Sequence, residues 1–423
     1  MSYSRSSAAG ATELMRVLSA ADAAREIVAA VPTQPSLRIP LLDARGHVLA
    51  EDIMAPIPLP PWTNAGMDGY AARAEDIRGA TAESPVHLRI VEAIAAGNSP
   101  RQAIGAGEAA RIFTGAALPE GADSVIRQED TERDGNTVVV RRDRDAGGNV
   151  RRAGSDLATG ALVLSIGMLL GPHQIAVLAA LATAHPVVYR RPRVGILTSG
   201  DEIVSLDHPE EILSGRRLSD ANSPALAALV EEAGGIAVPL GIARDDAGEL
   251  ERLVRAADDV DLLITAGGVS VGEHDHVRSV MTACGVRTVF DRVRMRPGGP
   301  ATFGVFRDGR PWLALPGNPV SAMVTFELFG RPAIRTMAGH RDPFRTSFRA
   351  ILRDEMRRDA TLDQYVRCTF EWPADGTKPM ATLTGAQGSG MLMSLVRAEG
   401  LAIVPAGRDA LPAGSDVAAF RFN

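Results

Sequence analysis

Carboxylates stand just after several short apolar runs of this 423-residue chain: Asp201-Glu202, Asp220, Asp245-Asp246 and Asp275. One acid in such a place is usually a helix cap or a turn residue. Several converging on one rim would repel unless a cation or a proton offsets them. Oxygen-only ligands suit Mg²⁺, which takes one or two carboxylates and completes its shell with substrate phosphate. Among these acids lies Gly267-Gly268-Val269-Ser270-Val271-Gly272, which follows the apolar run of 260–264 and leads to Asp275. Glycines let a backbone turn sharply and present its N–H groups to an anion. The loop is neither a Walker A sequence nor a dinucleotide fingerprint, so by itself it is equally a structural turn. Arg292, Arg294 and Arg296 alternate along the chain and would share one face of a strand. They would make an oxyanion pocket, or an exposed edge kept soluble by charge.

The elements that would position these groups alternate between strand and helix from about residue 185. Apolar runs at 236–242, 260–266, 287–293 and 312–315 read as strands. Helices are expected over 225–233, where Ser223-Pro224 supplies an N-cap and a first-turn proline, and over 247–257 and 276–284. This pattern predicts a mostly parallel sheet covered on both faces, a three-layer α/β sandwich. Ligands in such sheets sit outside the carboxyl ends of the strands, where the acids fall. Leu315-Pro316-Gly317-Asn318-Pro319-Val320-Ser321 follows the last strand and opens an apolar helix to about residue 337.

Around this layer the chain changes character. Residues 19–30 form a capped amphipathic helix. A proline ramp, Pro56, Pro58, Pro60 and Pro61, leads to Met67-Asp68-Gly69-Tyr70-Ala71, whose Asp-Gly pair is a turn on its face value. Residues 86–140 are β-rich, and within them Phe113-Thr114-Gly115 ends a strand in a hydroxyl and a glycine. The polar loop 147–156 carries Arg151-Arg152 and is a solvated linker or an anion clamp. Residues 344–423 are β-rich again. The formal net charge of −6 gives no basic stripe for nucleic acid. Lys378 is the only lysine among 45 cationic side chains, so arginine at any one position says little about geometry. Cys284 and Cys368 read as two buried thiols in a reducing compartment. No signal-like or membrane-spanning stretch is present, and a cytoplasmic location is the expectation.

Six motifs then occur in order: Met67-Asp68-Gly69-Tyr70-Ala71, Phe113-Thr114-Gly115-Ala116, Thr198-Ser199-Gly200-Asp201-Glu202, Gly267 to Glu273, Arg296-Pro297-Gly298-Gly299, and Leu315 to Ser321. Together they resemble the molybdopterin molybdenumtransferase family, the molybdenum insertases related to gephyrin's E domain. The resemblance implies an elongated homodimer of four modules: a split helical one (1–54 and 149–187), a β-rich insertion (55–148), the α/β layer (188–338) and a C-terminal β-barrel (339–423). It implies a reaction in which molybdate and adenylylated molybdopterin give molybdenum cofactor and AMP with Mg²⁺. Partners would include the molybdopterin adenylyltransferase and the molybdoenzymes that receive the cofactor. By motif match, Glu202, Asp245 and Asp275 would hold metal and phosphate, and Asp68 and Thr114 would come from the β-rich module. Gly267, Gly268, Ser270 and Gly272 would wall the phosphate side. Pro316 and Pro319 would shape the pterin pocket, and Asp220 and Asn222 would contact the nucleotide. Arg296, Arg367 and Ser389 would line the molybdate site.

The chain departs from the family's Lys-Pro-Gly-Lys-Pro, having Arg296-Pro297-Gly298-Gly299-Pro300. Gly299 removes a cation from the expected oxyanion site, and arginine is not equivalent to lysine there. Two other functions fit the same elements: a non-catalytic scaffold or cofactor-binding relative, and an adenylyl-transfer enzyme built on the α/β layer.

Overall fold

Side chains that alternate between two buried faces build the layer that carries the site. In this computed structural model, which describes residues 17–268, 276–357, 359, 361–407 and 410–422, six strands form it: β1 (Arg193–Ser199), β2 (Ile236–Ala243), β3 (Leu262–Ala266), β4 (Arg287–Phe290), β5 (Thr302–Val305) and β6 (Pro311–Leu315). Their order is β2-β1-β3-β6-β5-β4. The first four in that order run parallel, and β5 and β4 complete the sheet antiparallel. On one face Val194, Ile196, Leu262, Ile264, Leu313 and Leu315 pack against the helices Ala20–Ala30, α1 (Asn222–Glu232) and the helical run from Pro319 to Met337. On the other, Leu197, Leu263, Trp312 and Ala314 meet α2 (Ala247–Ala256) and α3 (His276–Ala283). Period-two alternation on strands buried on both sides therefore produces the expected three layers.

Local capping follows the sequence in most places. Ser19 accepts the Asp22 N–H and starts the first helix, and Asp246 accepts the Glu249 N–H and starts α2. The expected N-cap at Ser223 is corrected: α1 begins at Asn222, and the Asp220 carboxylate accepts the N–H groups of both Asn222 (3.1 Å) and Ser223 (3.0 Å). A carboxylate satisfies two orphan amides where one hydroxyl satisfies one. The helix after β6 is also less regular than its apolar pattern suggests. It runs as Pro319–Thr325, a π-helical turn Phe326–Gly330 and Arg331–Met337.

The strand expected over 287–293 is two pieces in two sheets, and a third short strand in another sheet follows it. β4 ends at Phe290, Arg292–Val293 pairs with Val17–Leu18, and Met295–Arg296 pairs with Asp363–Gln364. Burial still alternates, with Val293 and Met295 inside and Arg294 and Arg296 exposed. Arg292 and Arg294 bond the same Val17–Leu18 strand, whereas Arg296 pairs with Gln364.

Five C-terminal strands close on themselves. Asp363–Glu371 pairs on one side with Met380–Leu383 and on the other with Gly400–Val404, and Ser347–Leu352 and Asp416–Arg421 complete the circuit. Closure leaves this small barrel without a free edge. Cys368 lies in its core, where burial pushes the thiol up to about 12. Cys284 is only half-buried, which corrects the expectation of two buried thiols.

The chain divides into two compact units. One comprises the residues up to Glu51, Ile166–Ile175 and the chain from His185 on; the other comprises Asp52–Ser165 and Ala176–Ala184. The second holds a six-stranded sheet in the order Ser124–Arg127, Gly69–Ala72, Glu108–Ile112, Val86–Ile94, Thr137–Val140 and Thr131–Asp134. Its faces bury Tyr70, Leu88, Ile126 and Val138 on one side, and Ala71, Ile94, Ile112 and Val125 on the other. No described helix is long and apolar enough to cross a membrane.

Candidate active site

The chain leaves β1 for β2 on one side of it and leaves neighbouring β3 for β4 at the opposite edge of the sheet. A crevice opens at such a switch point, outside the carboxyl ends of the strands. Here it is a cleft of about 420 Å³ lined by Ser199, Gly200, Glu202, Asp220, Asn222, Asp245, Gly267, Gly268, Pro300, Pro316 and Pro319, among others. Eight of the residues singled out by motif thus meet in one place: Glu202, Asp245, Asp220, Asn222, Gly267, Gly268, Pro316 and Pro319.

Their roles divide. Asp220 is buried, and its carboxylate accepts from the Thr198 and Ser223 hydroxyls as well as from the two α1 amides. That is a cap and strand tie, with little capacity left for a ligand. Asp246 caps α2. Asp201 Oδ1 accepts the Asp245 N–H at 3.2 Å and so joins the two loops. Glu202 and Asp245 remain as exposed carboxylates facing the cleft. Asn222 is 8% exposed; its Nδ2 donates to Gly317 O at 2.8 Å, and its Oδ1 has no partner among the described residues. A buried acceptor without a donor is costly unless a ligand supplies one.

Gly267 and Gly268 have φ of +103° and +62°, and the chain there passes very close to β1. A Cβ on Gly267 would lie 2.5 Å from Ser199 O, and one on Gly268 would lie 2.5 Å from a Val277 methyl. The glycines are therefore required sterically, whatever else their N–H groups bind. Ser270, Gly272 and Asp275 lie outside the described residues.

A second cavity, about 630 Å³, opens where the barrel meets the Arg296 strand. Arg296, Pro297, Arg357, Tyr365, Arg367, Gln387 and Gly388 line it, together with the acids Glu355 and Asp359. Arg367 is 0% exposed. Its Nε donates to Ser394 Oγ at 3.0 Å and its Nη2 to Gly388 O at 3.0 Å, while Nη1 has no partner among the described residues. No carboxylate among the described residues is bonded to it, and burial lowers its pKa. A guanidinium withdrawn from water without a counter-charge suits an oxyanion. Ser389 stands one residue past this lining, with its carbonyl accepting the Val320 N–H. Gln387, Gly388 and Ser394 are what the sequence did not single out; only their nearness to Ser389 could have signalled them. The stretch from Arg296 to Pro300 spans both cavities, with Arg296 and Pro297 in one and Pro300 in the other. Gly299, the departure from the family motif, lies inside it.

In the β-rich unit, Asp68 and Thr114 come together across a sequence separation of 46. Asp68 Oδ1 accepts the Thr114 N–H at 2.8 Å and its hydroxyl at 2.7 Å. These bonds hold the Asp68 carboxyl below the usual carboxylate range. Among the described residues, the group of metal-capable side chains within mutual reach is His208, Glu210 and Glu211, a largely exposed set that lines neither cavity.

Comparison with known proteins follows the same division of the chain. Residues 18–182 match the MoeA N-terminal region (domain I and II), 195–336 the probable molybdopterin binding domain, and 349–422 the MoeA C-terminal region (domain IV). A molybdopterin molybdenumtransferase of Nostoc sp. is 36% identical over 383 residues, covering 90% of this chain and 87% of that one. Molybdopterin molybdenumtransferase 2 of Mycobacterium tuberculosis is 36% identical over 375 residues, 87% of this chain and 91% of that one. The crystal structure of the molybdopterin biosynthesis moeA protein from Pyrococcus horikoshii superposes with a TM-score of 0.80 at 27% identity, covering 96% of this chain and all of the other. With three consecutive regions matched and identity sustained along nearly the whole length, the chain belongs to the molybdopterin molybdenumtransferase family.

Proposed function

We propose that this protein inserts molybdenum from molybdate into adenylylated molybdopterin and releases AMP, completing the molybdenum cofactor. The observation that carries the proposal is the pairing of two cavities within one unit. One presents exposed carboxylates at the strand ends; the other holds a fully buried arginine without a carboxylate partner among the described residues. The first suits a phosphoanhydride with its cation, the second an oxyanion such as molybdate.

Cleaving the anhydride requires the charge on the phosphoryl oxygens to be offset, which Mg²⁺ supplies when bound. The all-oxygen donor set of Glu202 and Asp245, with Asp275 following the same glycine loop, fits that ion. Asn222 Oδ1 takes a ligand N–H or O–H donor, and the Pro316 and Pro319 turns shape the wall beside it. Arg367 and Arg296 hold molybdate so that the dithiolene sulfurs meet a fixed oxyanion. The same proposal assigns a cytoplasmic homodimer, supplied by a molybdopterin adenylyltransferase and delivering cofactor to molybdoenzymes.

The test is incubation of the folded chain with adenylylated molybdopterin, Mg²⁺ and molybdate, following AMP. Release that depends on both ions supports the insertase. No molybdate-dependent release from folded protein would remove it and leave the scaffold alternative.

A further inference from the structure

At the end of the α/β layer opposite the cleft, three guanidinium groups share a cavity with one carboxylate. β6 starts there, just after Arg310, and delivers Pro316 to the cleft; α2 starts beside Asp245 of the cleft and ends at this cavity with Arg255. The cavity holds about 310 Å³ between the last turn of α2, Cys284 just past α3, and the turn at 306–310 that joins β5 to β6. That turn is closed by the Phe306 N–H donating to Arg310 O at 2.8 Å and the Gly309 N–H to Phe306 O at 3.0 Å. Buried Val254 and Phe306 form the apolar part of its wall.

The three arginines are held differently. Arg255 is paired with Glu251 one turn back, its Nε donating to Oε1 at 2.8 Å. Arg310 lies over the Phe306 ring, its Cζ 4.3 Å from the centroid, and its Nη1 donates to Ala257 O at the end of α2. Its Nε–Nη2 edge, the fork that can take two oxygens of one anion, makes no hydrogen bond among the described residues, and Nε is buried. Asp308 Oδ2 is 4.0 Å from that Nε, too far for a hydrogen bond, while Oδ1 accepts the Arg310 N–H at 2.9 Å. Arg307 lays its stem over Gly285, where an added Cβ would lie 3.4 Å from its Cγ, Cδ and Nε, and its guanidinium meets no acceptor among the described residues.

Helix C-termini attract cations, which accounts for Arg255 and for the bond from Arg310 to Ala257 O. It leaves Arg307 on the turn and the Arg310 fork without a purpose. Donors that line an open cavity and meet no acceptor in the chain match an oxyanion from outside it. We propose that this cavity binds a small oxyanion, a carboxylate or a phosphate, on the Arg310 fork and the Arg307 guanidinium. The site is separate from the cleft and from the barrel cavity, and it does not depend on the reaction proposed above.

Cys284 lines the cavity and can report its occupancy. The chain's other thiol, Cys368, lies wholly buried in the barrel core and serves as the internal control for unfolding. Alkylation of the folded full-length chain by neutral iodoacetamide is followed at each thiol by mass spectrometry, with inorganic phosphate, malonate, or chloride at matched ionic strength. Phosphate and malonate should slow Cys284 with saturation, and chloride should not. Arg307→Gln should raise the half-protecting concentration about 3- to 10-fold. Asp308→Asn keeps an oxygen for the Arg310 N–H and removes the competing charge, so it should lower that concentration by about the same factor. The Arg310 Nε–Hε resonance, identified by its loss in Arg310→Lys, should shift over the same range of phosphate and reads the site without the thiol. Protection by one of the two oxyanions alone supports the proposal and fixes the class of ligand. Equal slowing by chloride, no slowing and no resonance shift with either oxyanion, or an unchanged half-protecting concentration in Arg307→Gln would overturn it.

Discussion

Replacing Arg367 by methionine separates an anion site from a structural tie. The guanidinium is wholly buried, bonds Ser394 Oγ and Gly388 O, and has one nitrogen without a partner among the described residues. Methionine keeps the length and removes the charge. The loss is two charge-assisted hydrogen bonds, about 1.5–3 kcal/mol each. Against it stands relief of a buried charge, worth several kcal/mol. Ser394 still donates to Met391 O at 2.6 Å, and Gly388 O faces a cavity that admits water. The net change without anion should therefore stay within about 1–2 kcal/mol. With molybdate at 100 times its Kd, the wild type gains about 2.7 kcal/mol. Losing one charge-assisted contact weakens binding about 10- to 100-fold, so at the same concentration Arg367→Met gains only about 0.4–1.4 kcal/mol. Thermal unfolding of both proteins with and without molybdate reads this difference, with sulfate as a second oxyanion. The reasoning fails if molybdate protects the two equally. It also fails if the variant without anion loses more than about 4 kcal/mol, since the arginine would then be a strut.

Three further outcomes follow from the same geometry. Gly299→Lys puts a Cβ 3.3 Å from Met295 O and 3.4 Å from Val293 O, at a backbone without positive φ, so it should fold and lower the half-saturating molybdate in AMP release. An unchanged value would mean that the neighbouring arginines already suffice. Gly267→Ala meets Ser199 O at 2.5 Å with φ of +103°, and should cost about 2–4 kcal/mol in chemical denaturation; less than about 1 kcal/mol would contradict the close approach. His340, pushed down to about 3 by burial and by Arg335 and Arg331, binds its proton more weakly folded than unfolded. Its share of stability is complete above its ordinary pKa near 6.5 and is lost as pH falls toward 3, so Tm should drop less on acidification in His340→Gln, and parallel curves would refute this.

What the sequence by itself determined is the part of this protein that depends on near neighbours. Alternating apolar residues and glycine stops placed the strands of the α/β layer, and Ser19 placed a helix start, because each is a matter of a few consecutive residues. Strand ends followed by acids even located the rim of the cleft. Near neighbours could not say which acid reaches the cleft. Asp220 and Asp246 each cap the helix just after them, while Glu202 and Asp245 face the cleft; of the ties on the two caps only that from Thr198 to Asp220 is distant in the chain, and which acids line the cleft depends on the strand order. Nor could they show the break in 287–296, where three different partner strands take successive pieces of the chain. Tertiary structure alone decided the strongest features of the two sites. Arg367 meets Ser394 and Gly388, and no carboxylate among the described residues, and Asn222 reaches Gly317 across 95 residues. Asp68, a turn residue by its sequence, is fixed by Thr114. The physical reason is common to all of them: a polar group's worth depends on what it meets after burial, and those partners are distant in the chain.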